Sequence, residues 1–211
     1  CQIPEYFDQP FKWIKYTKNI VQTMIPSLMS LENDIIKNKT FHDDYEKLRT
    51  VSLNPNRHLT ENAFEHCELV RERVMDLALQ NDCSPEGTNL LANLARVHDI
   101  GKISGSANPS KSVEMLPRYG IVDEDFINLV KYHDINLPWF IAIEKGQAPT
   151  DKAWRKMGVR VDMKLLCIFM VADRVDCPGS WKANEPLVWF LNTAKTKCYL
   201  KDPLIIDGKY Q

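Results

Sequence analysis

The stretch Ala95-Arg96-Val97-His98-Asp99-Ile100-Gly101-Lys102 sets an imidazole beside a carboxylate at the end of an apolar run, with a lysine close behind. Adjacent side chains on a helix diverge by about 100°. His98 and Asp99 can therefore close on one ion only if other groups converge on them from elsewhere. Candidates exist in His66 upstream, Asp173 downstream and His133 between them. A hard or borderline divalent cation takes imidazole nitrogen and carboxylate oxygen at about 2.0–2.3 Å, and His66, His98, Asp99 and Asp173 offer those atoms. Asp173 is the most telling of the four. It follows Leu165-Leu166-Cys167-Ile168-Phe169-Met170-Val171-Ala172, where an unpaired carboxylate bears a heavy desolvation cost. A metal, or an ion pair with Arg174 or Arg96, must offset it. Taken singly, a histidine is more often a core or surface residue than a ligand, and His42 and His58 are read that way. The joint pattern outweighs the separate readings.

The elements that must position these groups are helical. Asn62 or Thr60 suits an N-cap for a helix running through Gln80, with Phe64, Cys67, Leu69, Val70, Val74, Leu77 and Ala78 on one side and His66 at the edge of that stripe. Ser84-Pro85 matches a cap followed by a first-turn proline, opening a helix to about Asp99 that Gly101 would close as a C-terminal cap. A short helix is expected around Lys111–Tyr119, another from Asp123 to Tyr132, stopped by Asn136 and Pro138, and a surface helix start at Asp151. The longest apolar run, Met163 to Val175, predicts a buried helix with Asp173 in its last turn, and Glu185 to Lys197 a final amphipathic one. Strand signals are weak. Residues 1–55 read as a helical appendage, with an aromatic and basic cluster at Phe11–Tyr16 and an apolar helical pattern from Asn19 to Ile36, kinked or started at Pro26. The main domain is expected over 56–211.

Whole-chain properties are those of a globular protein: 211 residues, 44% hydrophobic, 26% charged and a net charge of −1, enough for a substantial core and too balanced for global attraction to nucleic acid or anionic membrane. The six cysteines form no C-x-x-C pair, and Cys67 and Cys167 fall on apolar faces, which predicts free thiols and a reducing, cytoplasmic setting. No run approaches the ~18 apolar residues of a membrane span, and no signal-peptide pattern opens the chain. The missing initiator methionine is read as the mark of a processed or excised piece of a longer polypeptide.

The order His…His-Asp…Asp, carried by Glu65-His66-Cys67, His98-Asp99-Ile100-Gly101-Lys102, Tyr132-His133-Asp134 and Ala172-Asp173-Arg174, resembles the HD-domain metal-dependent phosphohydrolase superfamily over residues 56–180. The resemblance implies an all-α helical bundle with a divalent metal (Mn, Ni, Co, Mg or Fe) on His66, His98, Asp99 and Asp173. It also implies hydrolysis of a phosphomonoester or phosphodiester, with Lys102 facing the substrate phosphate. Two-metal members carry further histidines; where they place one, this chain has Asn108 ahead of Ser112-Val113, and an amide oxygen substitutes poorly for imidazole on a transition metal. One tightly held ion is therefore expected, with His133 left to contact substrate or act as general acid.

The glycine-tyrosine-proline signature of cyclic-di-GMP phosphodiesterases is missing, as is the acidic pair that follows His-Asp in (p)ppGpp hydrolases. The surroundings of His66 look most like HD domains associated with RNA end-processing and tRNA nucleotidyltransferases, which points to a nucleotide or an RNA end, including a 2′,3′-cyclic phosphate. On this reading Asp99 or Asp173 takes the proton of a metal-activated water. Lys102, helped by Arg57 or Arg174, neutralises charge on the phosphoryl oxygens, and Asn108 joins the substrate contacts. Two alternatives share the residues: a mixed-valent di-iron oxygenase of the same superfamily, which needs more histidines, and a nucleotide-binding regulatory module without turnover. A zinc deaminase, suggested by His66-Cys67-Glu68, lacks the Pro-Cys-x-x-Cys that must follow, and no Walker or Rossmann glycine pattern occurs.

Overall fold

The computed structural model describes Ile35 and residues 37–211, which belong to the larger of two compact units, Asn33–Gln211. The aromatic stretch Phe11–Tyr16 and the helix expected over Asn19–Ile36 lie outside the described residues, save Ile35. Among the described residues the regular structure is helical, apart from one two-stranded hairpin and an isolated bridge between Ser52 and Asn62. In chain order the helices are α1 (Lys39–Lys47), α2 (Ala63–Gln80), α3 (Pro85–Val97), α4 (Pro109–Met115), α5 (Glu124–Tyr132), α6 (Asn136–Glu144), α7 (Asp151–Gly158), α8 (Met163–Ala172) and α9 (Glu185–Thr196). The hairpin pairs Ile205–Ile206 with Lys209–Tyr210. No described helix is long and apolar enough to cross a membrane.

Local chemistry starts the helices where the sequence predicts. Asn62 accepts from Glu65 N, Ser84 from Gly87 N beside Pro85, Asp123 from Phe126 N, Thr150 from Ala153 N and Asn184 from Leu187 N, so each start has an orphan amide satisfied. The apolar α8 forms the centre: every residue from Met163 to Ala172 except Lys164 is buried. It packs on α2, α3 and α9, while α2 and α3 share the largest helix contact. α1 joins the same core through Phe41 and Tyr45, as does Leu48 directly after it. The free thiols Cys67 and Cys167 are buried within it.

Two expectations change. Gly101 does not cap α3 with a left-handed residue; that conformation falls to Gly105 (φ 80°) at the end of a 3-10 turn, Ile100–Ser104. Gly101 instead allows close contact. A Cβ there would sit 2.4 Å from Ser112 N and 2.7 Å from the Lys111 carbonyl carbon. The second change concerns Asn136 and Pro138, which begin α6 rather than merely ending α5. A proline in a first turn gives up an amide that has no intrahelical partner there.

Candidate metal centre

α2, the α3 terminus and the α8 terminus deliver the four predicted ligands to one place. His66 sits in the first turn of α2, His98 and Asp99 directly follow α3, and Asp173 caps α8. The α3 terminus is pinned from outside: Ser112 Oγ donates to the His98 carbonyl at 2.6 Å and accepts from Gly101 N at 3.0 Å. The close approach that only glycine permits thus fixes the His-Asp pair against α4.

Donor atoms of His66, His98 and Asp173 lie within 4.8 Å of one another. Asp173 Oδ1 stands 3.1 Å from His66 Nε2 and 3.2 Å from His98 Nε2, and those nitrogens are 3.4 Å apart. Asp99 Oδ2 adds the fourth corner, 3.3 Å from His98 Nε2 and 3.8 Å from His66 Nε2. All four residues are buried. Each imidazole is oriented by its other nitrogen: His98 Nδ1 lies 2.9 Å from the Ala95 carbonyl, and His66 Nδ1 3.1 Å from Asp176 Oδ1. A ring that donates from Nδ1 turns the Nε2 lone pair inward, as metal-ligating histidines do.

Asp176 has no place in the sequence reading. Its buried carboxylate takes the Thr60 hydroxyl at 2.5 Å and faces His58 Nδ1 at 3.3 Å as well as His66, while its carbonyl accepts from Leu59 N at 2.8 Å. It ties the 58–60 segment to the cluster. His58, read as an ordinary core or surface residue, is partly buried here and faces Asp176. A sequence signal did exist, since Asp176 follows Asp173 at a spacing that puts both on one side of a turn.

The surrounding cations are committed to these acids. Lys102 Nζ is 2.6 Å from Asp99 Oδ2. Arg174 bridges Asp173 and Asp134, meeting Asp134 Oδ1 at 2.7 Å, so the ion pair required by the burial of Asp173 is with Arg174. A cavity of about 380 Å³ opens over the cluster, and its walls include Arg57, His58, Lys102, His133, Asn136 and Arg174. Arg57 is exposed in that wall. Asn108 does not join it: the residue is exposed, and its side chain caps α4 by accepting from Ser110 N at 2.9 Å. Its Oδ1 is taken by a helix start, and the structure does not bring Asn108 to the cavity wall with the other expected substrate residues.

The donor set fits a divalent cation. Burial opposes charge on His98, yet Asp99 and Asp173 hold its pKa up to about 10. His66 is likewise raised against its burial, by Asp173 and Asp176. Asp99 and Asp173 are held well below the usual carboxylate range although burial pushes the other way; His98 and Lys102 outweigh it at Asp99, Arg174 and the two imidazoles at Asp173. Carboxylates crowded on imidazoles in a dry site draw in positive charge, and a metal supplies it more compactly than protons, which it displaces on binding. His133 behaves differently. Burial, and then His98, push its pKa below the ordinary value. Its Nδ1 lies 2.7 Å from the Val130 carbonyl, which leaves Nε2 as an acceptor. Its ring centre is 5.2 Å from that of His98.

A family model described as HD domain matches residues 63–177, the span that holds all of these ligands. No curated protein and no solved structure matches the chain.

Proposed function

Because this chain belongs to the HD-domain family, a superfamily made up mostly of metal-dependent phosphohydrolases, we propose that it hydrolyses a phosphomonoester or phosphodiester of a nucleotide or RNA end. One observation carries the reading: His66, His98, Asp99 and Asp173 converge at the floor of a cavity walled by Lys102 and Arg57. Those four side chains would hold the ion. When bound, a divalent cation supplies an acidified water and polarisation of a phosphoryl oxygen.

The protein's own groups divide the remaining work. Lys102, anchored on Asp99, sets a positive charge where the phosphoryl oxygens gather negative charge. Asp99 is placed to take a proton from the attacking water. Arg174 is held between Asp173 and Asp134; it orients Asp173 first and meets the phosphate second. Exposed Arg57 is suited to capture an anionic ligand at the wall. His133, with its proton directed at Val130, accepts a hydrogen bond from the ligand. A general-acid role would need a charged ring, which burial beside His98 opposes.

The test is metal-stripped protein reloaded with manganese, nickel, cobalt or magnesium and assayed on p-nitrophenyl phosphate, bis-p-nitrophenyl phosphate and 2′,3′-cyclic nucleotides. Metal-dependent release of product is expected. Bound metal without turnover of any phosphoester would instead indicate a regulatory module, and oxygen uptake with two irons per chain an oxygenase.

A further inference from the structure

Asn136 stands out among the cavity residues. It opens α6, is 1% exposed, and neither its Oδ1 nor its Nδ2 has a hydrogen-bond partner among the described residues. Ile135, which precedes it, makes no side-chain cap either. Leaving both ends of a buried carboxamide unpaired is costly. The residue lines the cavity beside His133, Asp134 and Leu137. A carboxamide carries no charge and moves no proton at neutral pH; what it offers is a donor group and an acceptor atom, side by side.

We infer that Asn136 is a specificity-determining residue that reads a pair of neighbouring hydroxyls on the substrate, the vicinal diol of a ribonucleoside 5′-monophosphate. The inference rests on the hydrolase reading above for its phosphate end, which Lys102 and the ligand cluster would take. A phosphate offers Asn136 acceptors alone and leaves Oδ1 unpaired. A diol satisfies both ends, because one hydroxyl donates to Oδ1 while the other oxygen accepts from Nδ2. The accepting Nε2 of His133, three residues earlier in the chain, suits the same hydroxyl-rich group. A 2′,3′-cyclic phosphate has no free diol and gains nothing from Asn136.

The experiment is calorimetric binding of the four ribonucleoside 5′-monophosphates and their 2′,3′-dideoxy counterparts to manganese-loaded protein, for wild type, Asn136→Leu and Asn136→Asp. At least one ribonucleotide should bind about 10- to 100-fold more tightly than its dideoxy partner. Asn136→Leu should close that gap, and Asn136→Asp, which keeps the acceptor, should narrow it. If melting curves show that Asn136→Leu does not fold, the Asp variant carries the comparison. Equal affinities in wild type, a gap that survives in Asn136→Leu, a gap that follows the base instead of the sugar, or no binding of any of the eight would each overturn the assignment. Turnover of p-nitrophenyl phosphate, which has no diol, judges the hydrolase reading separately. A protein that hydrolyses it yet ignores the diol refutes only the role of Asn136.

Discussion

Asp44 and Asp173 are both buried, at 2% and 5% exposure, but their surroundings differ in kind. Asp44 meets donors that the protein provides: the Tyr119 hydroxyl at 2.9 Å, Lys47 Nζ at 2.8 Å and Arg118 Nη2 at 3.3 Å. It fastens α1 to the segment after α4. Asp173 meets Arg174 on one oxygen, while the other faces two imidazole nitrogens, with the Asp99 carboxylate next to both. A carboxylate enclosed by fixed donors is a fastening. One that shares its space with other potential ligands is able to hold a cation with them. On the proposed reading the same residue type, similarly buried, is structural at Asp44 and chemical at Asp173.

Asp99→Ala breaks the comparison most severely. Manganese binding and phosphoester turnover should vanish together, as measured by calorimetry and the chromogenic assay. A variant with wild-type activity would return Asp99 to the structural class. Lys102→Ala should separate binding from rate: the ion stays, and turnover falls by about 10²–10³-fold, the usual loss when a charge-stabilising donor is removed. If the metal leaves instead, the lysine supports the site rather than the reaction. Asp176→Asn sharpens the contrast further. It should weaken manganese affinity by about 10- to 100-fold through loss of His66 orientation, with the circular dichroism spectrum unchanged.

Asp44→Asn supplies the mirror image, with stability lowered by about 1–3 kcal/mol and activity per folded molecule unaltered. Burial raises the Asp44 pKa, but the bonds from Lys47 and Tyr119 outweigh it and leave the carboxyl below its ordinary value. A group depressed in the folded state stabilises fully above its unfolded pKa, and that contribution is lost as the pH falls through the folded one. The stability gap between wild type and Asp44→Asn should therefore be constant above about pH 4 and shrink below it in chemical denaturation. A gap that widens in acid would contradict the sign.

The Asp173 side of this contrast is legible in the chain, for physical reasons, whereas Asp44 gives no signal because Arg118 and Tyr119 reach it from far along the sequence. His66, His98 and Asp173 are conspicuous because polar groups interrupt apolar helical periodicity, and the caps Asn62, Ser84 and Asp123 act within three residues of themselves. Part of what escapes the sequence acts over long separations. Gly101 resembles a cap until Ser112 is seen against it. Asp176 reads as an acid in a loop until Thr60, His58 and His66 gather on it from more than a hundred residues away. Asn108 occupies a suggestive position, yet a local cap takes its Oδ1. Asn136 and Pro138 look like a stop signal because the residues that start a helix resemble those that end one.

Anomalous diffraction from crystals grown with manganese tests most directly that one cation sits among His66, His98, Asp99 and Asp173. One strong peak is expected at coordination distance, about 2.0–2.3 Å, from both Nε2 atoms and from oxygens of both aspartates. Diffraction with no peak there, or with manganese only on exposed carboxylates, would contradict it.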